Sequence, residues 1–84
     1  MISVIYVTLK LSSGVLKEFI FILKKAYNQD AFIIKELDIS DDQVFTLDGK
    51  TDVEAGLDPS TIVIQWINDR YSDFQILDMQ TMKF

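Results

Sequence analysis

The stretch DPSTIVIQWINDR, residues 58–70, decides between two architectures, because it satisfies the rules for a helix and for a strand at once. Asp58 is a good N-cap, and Pro59, with its fixed φ and missing N–H, suits the first helical position. TIVIQWI is equally rich in the β-branched and aromatic residues that favour strands. A helical wheel breaks the tie. Ile62, Val63, Trp66 and Ile67 gather on one arc and Thr61, Gln65, Asn68 and Asp69 lie opposite, with Ile64 the exception. Arg70 suits the negative end of the helix dipole. The segment from 59 to about 70 is therefore expected to be helical; a strand here would give a β-rich fold around a single helix.

The rest of the chain reads in turn. ISVIYVTLKL, residues 2–11, alternates with Ile5, Val7, Leu9 and Leu11 on one face and Val4, Tyr6, Thr8 and Lys10 on the other, as a central strand does. Ser12 or Ser13 can cap a helix running to about Asn28. On its wheel Val15, Leu16, Phe19, Ile20, Ile22, Leu23, Ala26 and Tyr27 share a broad arc. Phe21 alone falls among Lys17, Lys24 and Lys25, either as one stray exposed apolar residue or as an anchor for a partner.

AFIIKELDI after Asp30 and QVFTL from residue 43 read as strands joined into a hairpin through Ser40-Asp41-Asp42. Asp48-Gly49 is a two-residue turn signal, so KTDV is expected to fold back on the strand before it. Gly56 and Asp58-Pro59 mark a loop, and FQILDMQTMKF reads as the last strand. The order strand, helix, strand, strand, helix, strand implies an α+β, ferredoxin-like βαββαβ two-layer sandwich, with a four-stranded antiparallel sheet and both helices on one face.

Eighty-four residues make one domain, 1–84, and 49% hydrophobic content is enough to fold it around a single core. With no cysteine and no histidine, disulfides, thiolate nucleophiles, the usual zinc sites and imidazole acid–base chemistry are all excluded. DGKT at 48–51 resembles the end of a phosphate-binding loop, but Val44 stands where that motif needs glycine. The acidic residues do not meet EF-hand spacing from Asp41, Asp48 or Asp52. Asp41, Asp42, Asp52 and Glu54 read as exposed loop carboxylates, with nothing to separate their pKa values for acid–base work. No enzyme, cofactor or metal is expected.

The formal net charge of −5 argues against binding nucleic acid. The longest apolar run, FIFIL at 19–23, is far shorter than the roughly 20 residues of a membrane span, and no basic region precedes a cleavable apolar stretch. A cytoplasmic location without membrane association is the expectation. Residues 36–58 hold eight carboxylates against Lys50 alone.

The first half, VIYVTLKLSSGVLKEFIFILKKAYNQDAFIIKELDI, resembles the strand–helix–strand half of PII-like sensing domains, within the wider set of PII-like and ACT-like regulatory domains. The resemblance implies oligomerisation through sheets and a small ligand at the interface. Independently, two helices on one face would leave Val4, Tyr6 and Thr8 on an uncovered face, which favours a homodimer. The expected function is a non-catalytic interaction or regulatory domain that self-associates through its sheet. The alternative is an acidic accessory or inhibitor protein, of phage or mobile-element type, that seats residues 36–58, with Asp41, Asp42, Asp52 and Glu54, in a basic groove of another protein. A third candidate surface is the strip of Lys17, Phe21, Lys24 and Lys25.

Overall fold

A computed structural model describes residues 2–26, 31–51 and 58–84. It departs from the four-stranded, two-helix expectation at the second element. Residues 2–25 form a long β-hairpin of β1 (Ile2–Leu11) and β2 (Leu16–Lys25). The Ser-Ser-Gly stretch read as a helix cap is its turn: Leu11 N–H donates to the Val15 carbonyl and Gly14 N–H to the Leu11 carbonyl, both at 2.9 Å. Gly14 takes a φ of 88°, a left-handed conformation that glycine adopts without steric cost.

From β2 the chain continues as a meander. β3 (Phe32–Asp38) pairs antiparallel with β2, placing Phe21 opposite Glu36 and Leu23 opposite Ile34. β4 (Phe45–Thr51) pairs antiparallel with β3. Helix α1 (Pro59–Asn68) follows, and β5 (Phe74–Lys83) returns to the far side of β1, with a register shift between Thr8 and Leu9. The sheet order is β4-β3-β2-β1-β5, five strands with one short helix, so the ferredoxin-like α+β sandwich is corrected to a mostly β fold.

Two local readings change with it. Asp48-Gly49 is not a turn but lies inside β4, with Gly49 opposite Ile34. Arg70 does not serve the helix dipole. It lies beyond the C-cap Asp69 and reaches the sheet instead. The helix itself is where Pro59 and the wheel put it; the Asp58 carboxylate accepts from Ser60 Oγ at 2.7 Å rather than from a backbone amide.

The core lies between α1 and one face of the sheet. Ile5, Val7 and Leu9 of β1, Phe19, Phe21 and Leu23 of β2, Ile34 of β3 and Ile62, Val63 and Ile67 of α1 are all essentially inaccessible. Burying each such side chain contributes about 1.5–3 kcal/mol. The Phe19 and Phe21 rings lie 5.7 Å apart, a tilted contact within the favourable range for aromatic pairs.

Candidate interaction surface

Because strand side chains alternate, the residues that do not meet α1 form a second face. Its register is read across the strands. Val4 is flanked by Met82 and Ile22, and Tyr6 by Gln80 and Ile20. Beyond β2, Ile22 faces Lys35 and Ile20 faces Leu37. Toward one end Lys24 sits between Ile2 and Ile33, and Ile33 pairs with Lys50. Toward the other, Thr8 sits between Glu18 and Asp78. An apolar band from Met82 through Val4, Tyr6, Ile20 and Ile22 to Leu37 thus runs across the strands, and no helix among the described residues covers it.

The band is most open at its margins, where Ile33 and Met82 are 52% and 56% exposed. Phe84, 72% exposed, is tied to Ile2 by a pair of backbone hydrogen bonds at 2.8 and 3.1 Å. Toward the acidic end, Thr8 Oγ1 donates to Tyr6 Oη at 3.0 Å and Gln80 Nε2 donates to Asp78 Oδ2 at 3.0 Å, so these polar side chains are held along the same face.

The site residues expected from sequence divide among several places. Val4, Tyr6 and Thr8 lie together on the uncovered face, and Lys24 lies at its basic end. Phe21 is not a surface anchor. It is fully buried beneath the helix, and the strip of Lys17, Phe21, Lys24 and Lys25 is broken, because period-two alternation sends Lys24 to the opposite side from Lys17 and Phe21. Asp41 and Asp42 are exposed beside an open hollow bounded by Ser40, Gln43 and Phe45. Asp52 and Glu54 lie outside the described residues.

Several carboxylates of the acidic stretch are engaged inside the fold. Glu36 is 4% exposed on the helix side of β3 and accepts from Trp66 Nε1 at 3.3 Å and from both terminal nitrogens of Arg70, with Nη1 at 2.8 Å from Oε2. The guanidinium lies 5.4 Å from the centre of the Tyr71 ring and 6.0 Å from that of Phe19, which shields the pair on its aromatic side. Asp38 pairs with Lys17 at 3.1 Å and accepts from the Ser40 hydroxyl and amide. Partial burial works to raise the Asp38 pKa, but the Ser40 hydrogen bonds and Lys17 outweigh it and hold the carboxyl below its ordinary value. The hydrogen bond to Asp38 raises Lys17 correspondingly. Lys35 and Asp48 stand 3.8 Å apart and largely exposed. Among the described residues of the acidic stretch, Asp41, Asp42, Asp48 and Asp58 remain exposed, while Glu36 and Asp38 are engaged within the fold.

Sequence reasoning missed the Glu36–Arg70–Trp66 cluster. Its only local signal is one Glu at an inward position of a strand, and its partners lie 30 and 34 residues away. Among the described residues no group of three or more acidic side chains is placed to hold a metal ion, and no helix is long and apolar enough to cross a membrane. No family model, curated protein or solved structure matches this chain.

Proposed function

We propose that this chain is a small non-catalytic interaction domain that self-associates through the uncovered face of its sheet. The observation that carries the reading is the apolar band of Val4, Tyr6, Ile20, Ile22, Leu37 and Met82 on interior and edge strands with no covering element among the described residues. Antiparallel sheets commonly leave one face to water, but that face is then mostly polar. Large contiguous apolar patches on monomers mark contact sites.

The size is adequate. Four inter-strand spacings give a width of about 19 Å and strands of seven to ten residues a length of about 23–33 Å, or roughly 450–600 Å² in projection before side-chain relief is counted. A standard interface removes about 800 Å² of accessible surface per partner, and face-to-face sheet packing is a common way to bury such a surface.

Sedimentation velocity over a range of protein concentrations tests the reading. The wild type is expected to sediment as a dimer at micromolar concentration, and Tyr6→Lys, which puts a charge at the centre of the band, as a folded monomer. A wild type that remains monomeric up to hundreds of micromolar overturns it.

A further inference from the structure

The uncovered face carries its charges asymmetrically along the strands, and this selects how a second copy can lie on it. At one end, Lys24 on β2 stands beside Ile33 on β3. At the other, Glu18 on β2 and Asp78 on β5 flank Thr8. Between them lie the rows through Val4 and Tyr6, whose one pair of charges, Lys35 and Asp48, neutralises itself. Lys24 and Glu18 are six residues apart on one strand, roughly 20 Å, and cannot meet within one copy. Neither makes an ion pair among the described residues.

Two face-to-face arrangements have two-fold symmetry with strands roughly aligned, as packed sheets require. With the axis parallel to the strands, the basic end of one copy lies on the basic end of the other and the acidic end on the acidic end. With the axis across the strands, each basic end lies on the partner's acidic end. Like charges facing one another in a desolvated interface disfavour the first arrangement, and opposite charges favour the second. We infer, on the basis of the self-association proposed above, that two copies pack with the axis across the strands, so that Lys24 of each meets Glu18 of the other.

The same symmetry operation matches the apolar rows. If the axis passes between the Val4 and Tyr6 rows, β2 of one copy lies over β2 of the other, Ile22 meets Ile20, and Val4 meets Tyr6. Lys10, one row beyond the acidic end, lies outside the overlap and does not disturb the match. The occupant is therefore a second copy of this chain in one orientation, defined by a reciprocal pair of ion contacts.

Charge exchange between copies tests the orientation. Lys24→Glu and Glu18→Lys are made singly, each checked for native circular dichroism and melting, and dissociation constants are measured by sedimentation equilibrium. Each variant alone places two like-charge contacts in its dimer and is expected to dissociate on the order of tenfold more readily. An equimolar mixture of the two is expected to form a heterodimer of wild-type affinity, because every contact then joins Glu to Lys. A wild-type dimer whose single variants are unchanged, or whose mixture is no tighter than its components, overturns the orientation and leaves self-association standing. A monomeric wild type removes both.

Discussion

The indole of Trp66 lies directly over the backbone of Gly49, so that a Cβ added at that glycine would come 3.0 Å from Cζ3 and closer still to Cη2. The contact explains why a residue with poor strand propensity sits inside β4. The missing side chain leaves room for the one aromatic of the helix, and the indole N–H thereby reaches Glu36 on the neighbouring strand.

Gly49→Ala is expected to destabilise the fold by about 1–3 kcal/mol, the usual cost of overpacking a filled site. Urea denaturation measures it. Pairing the change with Trp66→Leu should recover part of the loss, and strict additivity of the two would show that the indole is not what the new methyl meets.

The Glu36–Arg70 pair predicts an asymmetry. Arg70→Met leaves a carboxylate that is 4% exposed without its countercharge and is expected to cost about 3–5 kcal/mol. Glu36→Gln removes the buried charge and leaves a guanidinium whose side chain is already 32% exposed and can turn to water, for a smaller loss of about 1–3 kcal/mol. Thermal or urea unfolding of the two variants side by side gives the order; equal losses would mean that burial of Glu36 is not what sets the cost.

Phe21→Ala is expected to cost about 3–5 kcal/mol, as for other buried phenylalanines. An exposed Phe21, as the helical reading of residues 12–28 required, would make the change nearly neutral, so the unfolding midpoint separates the two structures of this segment.

That segment shows how far local pattern reaches. β1 could be read because only one of its faces is in the core, and Ile5, Val7 and Leu9 alternate with Tyr6 and Thr8. β2, at the middle of the sheet, carries Phe19, Phe21 and Leu23 on one side and Ile20 and Ile22 on the other, so its alternation of apolar with polar residues vanishes and a broad helical arc fits as well. Phe21, out of place on the wheel, and the β-branched, aromatic character of FIFIL were the signals for a strand. For α1, the wheel settled correctly a segment that local propensity left ambiguous. Glu36 and Gly49 owe their roles to Arg70 and Trp66, contacts across the fold that no local rule can supply. The uncovered face was expected from a two-helix layer that the structure does not have; alternation along β1 separated Val4, Tyr6 and Thr8 from the core side, and among the described residues the one helix packs on Ile5, Val7 and Leu9 instead.

The Lys17–Asp38 pair gives a pH dependence at both extremes. The folded-state pKa of Asp38 is depressed, so its contribution is present at neutral pH and is lost as pH falls below about 4 and through the folded value. Lys17 is raised, so its contribution holds at neutral pH and is lost as pH climbs above about 10.5. Both side chains are partly solvated and the effect is modest, on the order of 1 kcal/mol or less. Asp38→Asn should flatten both limbs of a plot of unfolding free energy against pH relative to wild type; an unchanged alkaline limb would show that Lys17 gains nothing from the carboxylate.

Dilution of the isotopically labelled chain, followed residue by residue in amide NMR spectra, addresses the uncovered face most directly. Self-association through that face predicts concentration-dependent shifts centred on Val4, Tyr6, Ile20, Ile22 and Met82, with α1 little affected. Spectra independent of concentration, or shifts confined to the outer edges of β4 and β5, would contradict it.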